Sequence, residues 1–175
     1  MVYLPTGSGK THIFFEQVRV AHERGKRVLI CLRRKELVLQ TSVRYARQTG
    51  KRIVPYMAGM ANDNAVNSAR VVICSADTVI RRLRNNKLGL RLQDFDLVIV
   101  DECHDCTATG YELLLQELKS KIIIGYTATP FRVGKVGHSF WHRCVAPVTA
   151  DDLCSKGHLV PLRICLLYTS PSPRD

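Results

Sequence analysis

The chain has 175 residues, with 26 Lys and Arg against 15 Asp and Glu, a formal net charge of +11, and 46% hydrophobic and 23% charged residues. That balance supports one globular domain with a real core, excludes a wholly disordered chain, and leaves no run near the ~18–20 apolar residues of a membrane span. The basic excess points to a polyanionic partner, nucleic acid before a membrane surface.

No basic-then-apolar leader opens the chain, so a cytoplasmic location is expected. The seven cysteines are odd in number, and their thiols are expected to be reduced.

In chain order, residues 1–4 supply at most the last residues of a strand before a glycine loop, which suggests a start inside a larger protein. Residues 10–24 predict a helix, with Ile13, Phe14, Val18 and Ala21 at helical spacing and Gly25 as its stop. A buried strand is expected at 28–31, a helix at 35–48 closed by Gly50, and a strand at 53–57. Residues 58–69 read as loop. Strands at 71–74 and 97–100 flank a basic helix at 76–85. A helix at 111–119 and a strand at 122–126 follow, then a short helix at 149–157 and the start of a strand at 159–164. Short apolar strands alternating with longer helices predict an α/β fold, a parallel sheet with helices on both faces. Ligands of such sheets sit at the carboxyl ends of the strands.

The last eleven residues, CLLYTSPSPRD, lack periodicity and resemble the translation of a common sequencing adaptor. The expected division is therefore 1–164 as a domain incomplete at both ends and 165–175 as an unstructured scar.

Two segments carry chemistry. In Leu4-Pro5-Thr6-Gly7-Ser8-Gly9-Lys10-Thr11, the glycines let successive amides curl around phosphate oxygens, and the helix start adds positive potential. Lys10 would reach the β/γ-phosphates and the Thr11 hydroxyl would bind Mg²⁺. Leu4 stands where the general pattern has Gly. The apolar strand before Asp101 and Glu102 offers one carboxylate to Mg²⁺ and a second to polarise or deprotonate water.

Pro-Thr-Gly-Ser-Gly-Lys-Thr (5–11), Asp-Glu-Cys-His (101–104) and Thr-Ala-Thr-Pro (127–130) together resemble motifs I, II and III of superfamily-2 helicases. Gly-Tyr-Thr-Ala-Thr-Pro-Phe-Arg (125–132) and Lys-Gly-His-Leu-Val-Pro (156–161) are similar to the DEAD/DEAH-box (DExH) branch related to restriction-enzyme Res subunits. The resemblance implies a RecA-like first motor domain that couples ATP hydrolysis, with Mg²⁺, to movement on nucleic acid. It implies catalytic roles for Lys10 and Glu102, and coupling roles for His104, Thr127 and Thr129. Leu32–Val38 is similar to motif Ia and Ser75–Thr78 to the next strand-tip element, so Arg33, Arg34, Lys35 and Thr78 are expected on the nucleic-acid backbone.

Arg81, Arg82, Arg84 and Lys87 form a second basic run, which alone reads as a solvated face before a contact. Neither run has interleaved aromatics, so sequence-independent tracking is expected, on DNA before RNA. A second RecA-like domain in the parent chain would supply the arginine finger, so the isolated chain is expected to be nearly inactive. The alternative is a nucleotide-switched nucleic-acid-binding module that does not translocate. Zinc at Cys103, Cys106, Cys154 and His158 is discounted because the acidic motif already uses Cys103 and His104. His138 and His142 read as surface histidines, and Phe140 and Trp141 as packing residues.

Overall fold

The apolar runs become neighbouring strands whose side chains alternate between two cores. In the computed structural model, which describes residues 1–60, 62–104, 109–118, 121–129 and 140–161, the strands are β1 (Val2–Tyr3), β2 (Val28–Leu32), β3 (Val54–Tyr56), β4 (Val71–Ser75), β5 (Leu97–Val100) and β6 (Ile122–Thr127). Among the described residues they form one sheet in the order β1-β6-β5-β2-β4-β3, every pair parallel. The helices are α1 (Lys10–Glu23), α2 (Lys35–Thr49), α3 (Asp63–Ser68), α4 (Ala76–Arg84), α5 (Thr109–Glu117) and α6 (Ala150–Ser155).

Alternation assigns the faces. Leu29, Cys31, Val72, Cys74, Val98 and Val100 pack with Val79 and Ile80 of α4 and Leu114 and Leu115 of α5. Val28, Ile30, Ile73 and Ile99 pack oppositely, with Phe14, Phe15 and Val18 of α1 and Val38 and Tyr45 of α2. Both faces of β2 and β4 are thus covered, which is why these strands read as unbroken apolar runs.

Arg27 closes the end of the sheet away from the motifs. Its guanidinium donates to Ala69 O (3.1 Å), Asn67 O (2.9 Å) and Asp94 Oδ2 (3.0 Å), and lies 4.8 Å over the Phe95 ring. Its N–H donates to Asp96 Oδ2 at 2.8 Å.

Apart from the strand expected at 159–164, the expected strands and helices are present, with ends shifted by at most two residues. The predicted loop at 58–69 contains α3, whose first turn is capped by Asn62 Oδ1 accepting from Ala65 N–H at 3.1 Å. Residues 159–161 form no strand. Residues 162–164, the tail 165–175, Cys106 and His138 lie outside the described residues. Phe140 and Trp141 are packing residues, in a T-shaped pair 5.2 Å apart against the α4/α5 core. Their segment runs outside β1, where Tyr3 N–H donates to Val145 O (2.8 Å) and Val145 N–H to Met1 O (3.0 Å).

Candidate nucleotide site

β1 is only two residues long, yet its pairing with β6 sets the phosphate loop beside Thr127. Val2 and Tyr3 register with Tyr126 and Thr127, and Leu4 N–H extends the ladder to Thr127 O at 2.9 Å. The chain then turns through Gly7 and Gly9, at φ 81° and 83°, and enters α1 with no side-chain cap. Such φ values suit glycine and disfavour any residue with a Cβ. The amides of Gly7, Gly9, Lys10 and Thr11 find no acceptor among the described residues. Four uncapped donors at a helix start are a ready anion site. Lys10 Nζ reaches back to Leu4 O at 3.5 Å, a long contact that leaves the ammonium available to a stronger acceptor. Pro5 is buried, Thr6 exposed and Thr11 half-buried, while the buried Ser8 Oγ has no partner among the described residues.

The acidic motif leaves β5 two strands from β1. Asp101 N–H donates to Cys31 O at 3.0 Å, fixing the turn. Asp101 Oδ1 is buried without a hydrogen-bond partner among the described residues. Burial pushes its carboxyl up first and the neighbouring Glu102 charge adds to this; the Glu102 N–H and the charges of Lys10 and His104 act in the opposite sense. Lys10, at the start of α1, is thus one of the charges that act on the Asp101 carboxyl. Glu102 itself sits at φ 50°, a left-handed conformation costly for a residue with a side chain and concentrated at functional sites. Cys103 is buried in the core, where desolvation pushes its thiol up to about 12, so it is an unreactive packing group.

His104 is the junction. Its Nδ1 lies 2.9 Å from Thr127 Oγ1, 3.3 Å from Thr129 Oγ1 and 3.3 Å from Glu102 Oε2. Thr129 N–H also donates to Thr127 Oγ1 at 3.0 Å. Loop, acidic motif and Thr-Ala-Thr segment are therefore joined in sequence: Leu4 to the Thr127 backbone, Thr127 to His104 through its hydroxyl, His104 to Glu102.

On the neighbouring strand tips, Arg34 and Lys35 after β2 and Ser75, Thr78 and Arg81 after β4 line one cleft. Arg33 is exposed beside it, and its carbonyl accepts from Ser75 Oγ at 3.4 Å. The Thr78 side chain is buried, its hydroxyl accepting from Ala58 N–H at 3.2 Å. The second basic run divides. Arg82 donates to Tyr56 Oη at 2.7 Å, lies 5.1 Å over that ring and pairs with Asp63 at 3.7 Å, whereas Arg84 and Lys87 are exposed. Sequence reasoning missed one neighbour of the loop: Leu159, whose Cδ2 would lie 2.9 Å from a methyl built on Gly7. The only signal for it was the string 156–161.

The model of the family described as type III restriction enzyme, res subunit, matches residues 1–132. A 51.5 kDa protein of a Lactococcus phage is 27% identical over 173 residues, 98% of this chain and 33% of that protein. The DNA 3'-5' translocase XPB2 of Sulfurisphaera tokodaii is 27% identical over 175 residues, 97% of this chain and 36% of that protein. The chain thus spans about a third of the length of these relatives. Among solved structures, the Hef helicase domain of Pyrococcus furiosus superposes with a TM-score of 0.62 at 25% identity, over 76% of this chain and 30% of that one. The UvsW helicase of bacteriophage T4 shares the fold, with a TM-score of 0.64 at 22% identity, over 78% of this chain and 48% of that one. The chain belongs to the type III restriction enzyme res-subunit family and has the RecA-like fold of its helicase-type domain.

Proposed function

We propose that the chain is the ATP-binding first motor domain of a nucleic-acid helicase or translocase, acting on DNA before RNA. One observation supports the reading: a chain of contacts, Leu4 to Thr127 and Thr127 to His104 by hydrogen bonds and His104 to Glu102 by a 3.3 Å approach of Nδ1 to the carboxylate, links the glycine loop to the acidic strand tip. DNA is favoured because a relative named as a DNA translocase aligns over 97% of the chain.

The residues fit Mg²⁺ and a triphosphate. Among the described residues, Asp101 Oδ1 is a buried carboxylate oxygen without a hydrogen-bond partner, and four amides of the loop and the start of α1 lack acceptors. Thr11 and Asp101 would hold the metal, while Pro5 to Thr11, with the Lys10 ammonium, would hold the phosphates. A Mg²⁺ held by these residues would neutralise charge on the phosphate oxygens. Lys10 stabilises negative charge at the same oxygens. Glu102 accepts the proton of the attacking water, its position fixed by the strained turn and by His104. His104, Thr127 and Thr129 pass the state of this site towards the cleft of Arg34, Lys35 and Thr78, where Arg33 adjoins. Among the described residues that cleft has no aromatic lining, which suits backbone contacts without base reading.

The domain assignment 1–164, the scar 165–175, a second RecA-like domain in a longer parent chain and a cytoplasmic site of action are parts of the same proposal. No helix among the described residues is long and apolar enough to cross a membrane.

The test is Mg·ATP titration onto the chain and onto Lys10→Ala, with steady-state hydrolysis by the chain and by the parent protein, with and without DNA. Binding lost in Lys10→Ala and DNA-stimulated turnover confined to the parent are expected. An arginine from a second domain is worth about 10³–10⁵ in rate. Brisk stimulated turnover by the chain alone, or no ATP uptake, would overturn the reading. Turnover in the parent without movement along DNA would instead favour a nucleotide-switched binding module.

A further inference from the structure

The glycines of the phosphate loop set its shape but give it no stiffness, since glycine has the greatest backbone freedom of any residue. Internal bonding is thin. Ser8 N–H donates to Pro5 O at 3.2 Å, and Ser8 Oγ makes no bond among the described residues. Support comes instead from a segment about 150 residues later in the chain.

There, α6 starts with a reciprocal cap. Thr149 N–H and hydroxyl donate to Asp152 Oδ2 at 2.8 and 2.7 Å, and Asp152 N–H returns to Thr149 Oγ1 at 3.1 Å. The helix ends in a turn at Gly157, after which His158 and Leu159 N–H both donate to Leu153 O, at 2.8 and 3.2 Å. This doubly capped unit fixes the direction in which Leu159 leaves it. The side chain arrives at Gly7, where an added methyl would lie 2.9 Å from Leu159 Cδ2. Leu159 is half-buried, whereas Val160 beside it is 90% exposed, so only the first of the two apolar side chains is engaged.

We propose that Leu159 is a positioning residue of the nucleotide site: delivered by α6, it packs on Gly7 and holds the phosphate loop in its binding-ready shape. This rests on the nucleotide reading of the loop. A loop already ordered loses less freedom when phosphate binds, so removing the prop weakens binding without dismantling the core.

The test titrates Mg·ATP and Mg·ADP onto the wild-type chain, Leu159→Ala, Leu159→Met and Val160→Ala, with thermal midpoints and hydrogen exchange of the Gly7–Gly9 amides. Leu159→Ala should weaken both nucleotides about tenfold and speed exchange at those amides at an unchanged midpoint. Leu159→Met should restore both readouts, and Val160→Ala should match wild type. Equal or tighter binding by Leu159→Ala overturns the proposal, the latter marking Leu159 as an obstruction. Weakening that tracks a lowered midpoint and is not rescued by Met also overturns it. A wild-type chain that takes up no nucleotide overturns the nucleotide reading and, with it, this one.

Discussion

His104 Nδ1 and Thr127 Oγ1 meet at 2.9 Å across the tips of adjacent strands β5 and β6. The same threonine accepts the Thr129 N–H through its hydroxyl and the Leu4 N–H through its carbonyl, and it is fully buried. One side chain thus holds the acidic motif while its backbone holds the phosphate loop. Removing the hydroxyl in Thr127→Val, or the imidazole in His104→Ala, should leave ATP binding in place and uncouple it from nucleic acid. Couplings of this kind are worth about 5–150-fold in mutual affinity. The measurement is the ATP dissociation constant of the parent protein with and without saturating DNA. An undiminished ratio in both variants would remove the coupling role.

Gly125 on β6 faces Trp141. A Cβ there would lie 2.4 Å from Trp141 Cη2 and 2.8 Å from Cys103 Cβ, too close for any real contact. Gly125→Ala should therefore push the indole off the sheet and cost about 1–3 kcal/mol. Chemical denaturation of the chain measures this, and an unchanged midpoint would show that Trp141 is not seated on β6.

Asp96 gives a pH signature distant from the nucleotide site. The Arg27 N–H and then the Lys26 ammonium hold its carboxyl below the ordinary 3.8. A depressed native pKa contributes stability above 3.8, and this stability is lost as pH falls through the native value. Asp96→Asn should melt lower than wild type at neutral pH, with a deficit that closes in acid. Because the carboxylate is partly solvated, the difference should be small. A deficit constant with pH would assign it to poorer packing.

The basic residues should separate by assay. Arg34→Ala and Lys35→Ala should weaken DNA binding by the parent and flatten its salt dependence, by about 0.9 in the logarithmic slope for each phosphate no longer neutralised. Arg82→Ala should keep the slope and lose about 1 kcal/mol of stability, because its guanidinium is committed to Tyr56. An Arg82→Ala variant with normal stability and a reduced slope would reverse the assignment.

The miss at 58–69 has a local cause. Asp63, Asn64, Asn67 and Ser68 are weak helix formers, and α3 exists because Asn62 caps it and Val66 is fully buried beneath it. Arg82 was illegible for another reason. In the run 81–87 it looks like its neighbours, and only α4 packing beside β3 brings it to the Tyr56 ring.

Sequence alone determined the elements whose signals are local: unbroken apolar runs for strands buried on both faces, helical spacing ended by Gly25 and Gly50, and the glycine pattern of the phosphate loop. It also supplied the residue types of the candidate site, glycines, a lysine and carboxylates in short strings. The tertiary structure alone decided that β1 lies beside β6, that His104 meets Thr127, and that Leu159 reaches Gly7. Such pairings join residues 23 to about 150 positions apart. They follow from which apolar faces bury together in the finished sheet, a choice that the sequence near either partner does not encode.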